Sequence, residues 1–207
     1  MGREQSGVQK QKSLSIGGQW TLLDCADGEL MLHFSVTLFA IMTADEVREM
    51  LKLTPLQLEG AFFRETYRSR WQVSAEYLPE GTHGSRSIGT AIYYMITPET
   101  FSTLHRLPGT EVFHFYVGDP AVMVQLHPDG TSRTVTLGND LANGQEPQVV
   151  VRGNVWQGCR LAPGGKWALM GTTMSPGFDY TDYQTGVRDE LIARYPTMAE
   201  VIREYTK

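Results

Sequence analysis

The stretch TLHRLPGTEVFHFYVGDP, residues 103–120, decides the fold. His105 precedes a turn built on Pro108 and Gly109, and Glu111 opens the next extended run. Proline presets the turn backbone and glycine relaxes it, so the pattern predicts a hairpin that brings His105 and Glu111 together. Strand alternation places Phe113 and Phe115 on the face of Glu111, with Val112 and His114 on the other.

Outward from this stretch, short β-rich runs follow one another from Phe62 to Met174. They are AIYYMIT from Ala91, AVMVQLH from Ala121, TSRTVTL from Thr131, QVVVR from Gln148 and WALMGTTM from Trp167. Turn residues at Gly118 to Pro120, Pro128 to Gly130 and Pro163 to Gly165 separate several of them. Strands in succession without intervening helical periodicity predict an antiparallel sandwich or barrel, not a parallel nucleotide-binding sheet. Helices are expected at the ends. Thr43 and Glu46 read as a capping box before Val47, Met50 and Leu51; Val187 to Tyr195 is a second candidate; Thr197 and Glu200 form another box before Val201 and Ile202.

The chain has 207 residues, 41% hydrophobic, 10% aromatic and 20% charged, which suits one domain with a proper core. Eighteen Lys and Arg against 23 Asp and Glu leave a formal charge of -5, with no cationic footprint for nucleic acid or an anionic membrane. Two cysteines, Cys25 and Cys159, are too few for a disulfide framework or a Cys-rich zinc site, and fit a cytoplasmic location. The Leu30 to Met42 run is interrupted by His33, Ser35 and Thr37, which argues against a spanning helix or a signal segment. Residues 1–41, rich in Gln, Ser and Gly as far as Gln19, are expected to lie outside the domain, leaving 42–207 as the single folded unit. Leu30, Leu32, Phe34, Val36 and Leu38 alternate as a strand would, so an added edge strand is the other reading.

The spacing of His105, Glu111 and, after six intervening residues, Gly118 resembles the first motif of the cupin superfamily, with Leu107 where a second His usually stands. VVVRGNVWQG from Val149 corresponds to the second motif, with Arg152, Asn154 and Gln157 in place of its Pro, Gly and His. AFFRETYRS from Ala61, GTAIYYMIT from Gly89, EVFHFYVGDP from Glu111, EPQVVV with Trp156 and Gln157, and SPGFDYTDYQ from Ser175 then occur in order. Together they resemble the cupin family of predicted sugar epimerases, a domain of unknown function, over about residues 43–205. The sequence departs from that family at Gln57 to Ala61 and at Arg152 to Asn154, near the expected cavity mouth. The resemblance implies an all-β, double-stranded β-helix, that is, a jelly-roll barrel with a short N-terminal helix and C-terminal helices. It also implies a homodimer, for which the edge-like segment Phe62 to Tyr67 is a candidate contact.

Within such a barrel His105, Glu111 and Gln157 would converge on one cavity, with Phe113 and Phe115 as its aromatic floor. Transition-metal cupins supply three imidazoles and a carboxylate; here Leu107 cannot ligate and Gln157 is a poor neutral donor, so no metal or other cofactor is expected. An imidazole titrating in the neutral range suits proton abstraction beside a carbonyl, with Glu111 orienting it or supplying charge. The resemblance to metal-free sugar epimerases implies a Tyr that returns the proton from the opposite face, with Tyr94, Tyr93 and Tyr116 as candidates. Glu65 and Arg86 are assigned to the pocket as further substrate-binding groups. The expected protein binds a polar, sugar-like small molecule and acts as an epimerase or isomerase. The alternatives are a non-catalytic metabolite-binding cupin, in which His105 and Glu111 are simply a buried hydrogen-bonded pair, and a metal-dependent oxygenase.

Overall fold

Turn residues cut the chain into short extended segments whose alternation lets each strand bury one face. The computed structural model describes residues 14–24, 30–40, 42–57 and 59–207; Cys25 and Leu58 lie outside the described residues. The chain divides into two units, Met1–Thr43 and Ala44–Lys207. In the first, β1 (Leu14–Asp24) and β2 (Leu30–Ala40) pair antiparallel, from Leu14 opposite Ala40 to Asp24 opposite Leu30. They form a two-stranded sheet of their own, so the Leu30 run is a strand that pairs with residues 14–24.

The second unit begins with α1 (Ala44–Leu51), β3 (Thr54–Pro55), β4 (Phe62–Arg68), β5 (Gln72–Val73), β6 (Arg86–Ser87) and β7 (Thr90–Ile96). It continues through β8 (Ser102–Arg106), β9 (Thr110–Gly118), β10 (Ala121–Leu126), β11 (Ser132–Leu137), β12 (Gln148–Val151) and β13 (Trp156–Leu161). It closes with β14 (Ala168–Ser175), β15 (Gln184–Thr185), α2 (Arg188–Arg194) and α3 (Ala199–Glu204). One sheet has the order β12-β9-β14-β7-β4-β3 and the other β11-β10-β13-β8-β15, with β5 and β6 as a separate ribbon. Neighbours in these sheets run antiparallel, which with the two-walled arrangement is the cupin-type jelly roll.

Alternation fills the space between the walls. Tyr94 and Ile96 of β7, Phe113 and Phe115 of β9 and Met170 of β14 meet Met123, Val135 and Leu137 of the other sheet in one core cluster. Burying each large apolar side chain contributes about 1.5–3 kcal/mol, so this cluster is what holds the walls together. Helices seal the outer faces. Leu191, Tyr195, Ile202 and Tyr205 cover Leu104, Val124 and Leu126, while Val47 and Leu53 cover Met95, Trp167 and Leu169. At the end of β9, Gly118 has φ +108 and a side chain there would lie 2.4 Å from the Trp167 carbonyl, so both backbone angle and space require glycine.

Two expectations are corrected. β8 and β9 do not form a hairpin: the backbone groups of β8 pair with β13 and β15, and those of β9 with β12 and β14. With both ladders already filled, the Leu107–Gly109 turn carries the chain from one wall to the other, and His105 and Glu111 stand on opposite sheets. At the C-terminus, Pro196–Met198 forms a 3-10 turn and α3 starts after Met198 with no side-chain cap, so Thr197 does not cap a helix. No helix among the described residues is long and apolar enough to cross a membrane.

Candidate functional site

The site is assembled from both walls and two loops. β8 contributes Ser102 and His105, β13 Gln157, β9 Glu111 and β7 Tyr94; Glu59 comes from the loop before β4, and Tyr183 from the turn before β15. His105 is 2% exposed. Its Nδ1 lies 2.8 Å from the Thr103 carbonyl oxygen. A carbonyl only accepts, so Nδ1 carries the proton and the ring presents Nε2 as its reactive edge. Nε2 is 4.0 Å from Glu59 Oε1 and 3.4 Å from Gln157 Nε2. The Tyr183 ring stacks on the imidazole, centroids 4.8 Å apart and planes 21° apart, and fixes its tilt.

Gln157 Nε2 donates to Glu111 Oε2 at 2.6 Å, while Glu59 Oε2 accepts from the hydroxyls of Tyr94 and Ser102, each at 3.1 Å. Burial pushes the Glu111 carboxyl above its ordinary value; the nearby His105 opposes the shift and Glu59 adds to it. Burial, with Glu59 next, also raises Tyr94 and Tyr183, so both phenols remain O–H donors at neutral pH. Among the described residues, Gln157 Oε1, Thr103 Oγ1 and the Tyr183 hydroxyl are buried without a hydrogen-bond partner. Arg64 Nε and Thr82 Oγ1 are also buried without a partner, away from the imidazole.

A cavity of about 160 Å³ opens onto this cluster. Glu59, Glu111, Leu107 and Thr172 line it, with Phe63, Glu65, Arg68, Phe178 and Tyr180 completing the wall. Tyr180 is half exposed whereas Glu111 is buried, so Tyr180 stands at the mouth and Glu111 at depth. Arg68 donates from Nη2 to Glu65 Oε2 at 2.7 Å, from Nε to Oε1 at 3.1 Å, and from Nη1 to the Phe178 carbonyl at 3.1 Å, strapping β4 to the loop after β14.

Of the residues expected from sequence, Glu111 and Glu65 lie on the cavity wall, and His105, Gln157 and Tyr94 stand directly behind Glu59 and Glu111. Phe113 and Phe115 belong to the core, where Phe113 meets Tyr94 edge-on at 6.4 Å; they do not form a cavity floor. Tyr116 is 45% exposed and packs edge-on against Tyr93 at 6.0 Å, across Gly171. It lies on the face opposite Glu111, as strand parity requires. His114 is on that face too, 3.0 Å from Thr173 Oγ1. Arg86 points at Asp182 rather than into the cavity, with Nε 2.8 Å from Oδ2 and Nη2 2.6 Å from Oδ1. That pair anchors the turn carrying Tyr183, so Arg86 acts on His105 only through its stacking neighbour. Sequence reading assigns no role to Glu59 or Tyr183, although Glu59 lies in the Gln57 to Ala61 stretch expected near the cavity mouth and Tyr183 in the segment SPGFDYTDYQ that carries the resemblance.

The donor set does not fit the metal centre of three imidazoles and a carboxylate. His105 is the one imidazole in the cluster, Leu107 is an apolar wall residue, and Gln157 spends its N–H on Glu111. No group of three or more His, Cys, Asp or Glu able to hold an ion occurs among the described residues. Burial pushes the Cys159 thiol up to about 12, which leaves it protonated and packed in the core.

Residues 45–186 match the family described as Cupin superfamily (DUF985). The chain is 29% identical over 133 residues to the uncharacterised protein YML079W of Saccharomyces cerevisiae, a match spanning 60% of this chain and 66% of the yeast protein. A hypothetical protein from Leishmania major superposes with a TM-score of 0.72 at 30% identity, over 80% of this chain and 99% of that one. Protein SO0799 of Shewanella oneidensis superposes with a TM-score of 0.70 at 29% identity, over 81% and 99% of the two chains.

Proposed function

The chain belongs to the cupin superfamily, in the DUF985 family, and from that premise we propose that it binds a polar, sugar-like carbonyl compound and moves a proton on it, as an isomerase or epimerase does. One observation carries the reading: two carboxyl groups on the wall of a single cavity, Glu59 and Glu111, both contact a cluster built on a tautomer-locked imidazole. Paired titratable groups in unlike environments divide acid and base work between them. Glu111, whose proton is held more tightly by burial, donates to the carbonyl oxygen. Glu59 takes the proton from the adjacent carbon and passes it to His105 Nε2 behind it, whose Nδ1–H is anchored on Thr103; the resulting enediol returns its hydroxyl proton to Glu111 as a proton is delivered back to carbon.

The deep enclosure of His105 favours a second reading, in which the same cavity binds a metabolite without transforming it. Incubation with keto-sugars in deuterated water separates the two. Proton transfer predicts label at the carbon beside the carbonyl, reduced at least tenfold in His105→Asn and Glu59→Gln; ligand binding without label leaves only the binding reading.

A further inference from the structure

We infer that the ligand of this cavity is cationic, an amine on a small polyhydroxyl frame. The inference rests on the reading of this cavity as the ligand site and adds the charge of what enters it. Three carboxyl side chains face the cavity, Glu59, Glu65 and Glu111, against a single basic residue among the described wall residues, Arg68. That guanidinium is already engaged, by two bonds to Glu65 and one to the Phe178 carbonyl, so it presents no free fork to an incoming anion.

With Arg68 and Glu65 matched, Glu59 and Glu111 remain; burial and the neighbouring Glu59 favour the protonated form of Glu111, so Glu59 is the charge left facing the cavity. Behind the wall, Gln157 Oε1 is buried without a partner on the carboxamide that bonds Glu111, so no cation is supplied from that side either. The Glu59 carboxylate calls for donors, and an ammonium is a donor-only group with three N–H bonds. The rest of the wall suits the same ligand. Phe63, Phe178 and Tyr180 supply aromatic faces, which attract cations, and Phe178 and Tyr180 meet edge-on at 4.9 Å. The cavity volume of about 160 Å³ has room for a monosaccharide-sized frame. A nucleoside diphosphate sugar is disfavoured by its charge, which meets Glu59 and an Arg68 already engaged.

The test is calorimetric titration of the full chain at neutral pH and low salt with glucosamine, N-acetylglucosamine and glucose 6-phosphate, matched frames that are cationic, neutral and anionic. Glucosamine should bind at least tenfold more tightly than N-acetylglucosamine, and glucose 6-phosphate most weakly. Glu59→Gln should erase most of that preference; should the variant not fold, the ranking on the native protein decides. Equal affinity for all three probes, tighter binding of the phosphate, or no glucosamine binding overturns the inference. Deuterium exchange with a neutral keto-sugar that binds as well as glucosamine would retain the proton-transfer function and remove only the amine. Glucosamine preference without exchange would do the reverse.

Discussion

Gln157 and Glu111 meet across the barrel, the carboxamide of β13 donating to the buried carboxyl of β9 at 2.6 Å. The contact joins the two walls at the point where the resemblance to metal cupins would place a ligand of a shared ion. A neutral donor there holds Glu111 in place without a cation, and it leaves Oε1 of the same carboxamide unsatisfied.

Replacing Gln157 with Leu removes a buried hydrogen bond to a carboxyl group, an interaction worth about 1.5–3 kcal/mol. Urea unfolding should show a loss of about 2 kcal/mol, with the denaturant slope unchanged. A loss below about 0.5 kcal/mol would mean that the bond contributes nothing to holding the walls together.

Stability should respond to pH through Glu111 with a definite sign. Its folded-state pKa is raised from 4.5, so the native protein holds this proton more tightly than the unfolded chain. That contribution is complete below 4.5 and is lost as pH rises through the folded value. Unfolding of the native protein and of Glu111→Gln, compared between about pH 4 and pH 8, should therefore favour the variant progressively as pH rises. A constant difference would show that burial does not penalise the ionised form.

The Arg86–Asp182 pair has the opposite sign. Burial alone would raise Asp182, but hydrogen bonds from Arg86 and the His83 backbone outweigh it and hold the carboxyl below 3.8. Its contribution is present above that ordinary value and is lost as pH falls through the folded one. Asp182→Asn leaves the buried guanidinium without its counter-charge and should cost about 3 kcal/mol at neutral pH. Because the pair anchors the turn carrying Tyr183, the near-ultraviolet circular dichroism should change as well; an unchanged spectrum would dissociate the pair from the His105 stack.

Leu107 lines the cavity and Gln157 faces Glu111, so Leu107→His combined with Gln157→His places two further imidazoles beside His105 and Glu111. The double variant should retain zinc through desalting, measured by elemental mass spectrometry, whereas the native protein should hold well under one equivalent. Stoichiometric transition metal in the native protein would overturn the conclusion drawn from its donor set.

We expect a homodimer. Beyond the two residues that β3 covers, Arg64 to Arg68 of β4 run along the margin of the six-stranded sheet, with Tyr67 and Trp71 exposed nearby. An open strand margin with exposed aromatic rings favours pairing with a second copy. Sedimentation at micromolar concentration should give a dimer, reduced to monomer by Tyr67→Lys; a native monomer sinks the expectation.

The runs from Ala91, Glu111, Ala121, Gln148 and Trp167 are strands because alternation and turn residues act over a few positions, and those features stand in the sequence. The same local logic fixes Gly118 at the end of β9 and places Phe113 with Glu111 on one face and Tyr116 on the other. What each strand pairs with is not local. His105 and Glu111 are six residues apart, yet they stand on opposite walls, because distant strands outcompete the adjacent one for the backbone groups of β8 and β9. Glu59 enters the site only because a loop without periodicity folds over the barrel end to meet Tyr94 and Ser102, 35 and 43 residues further along the chain. Sequence thus determined which residues form strands and which way they face. The tertiary structure decided which of those faces meet, since that depends on the global competition for hydrogen bonds and buried surface.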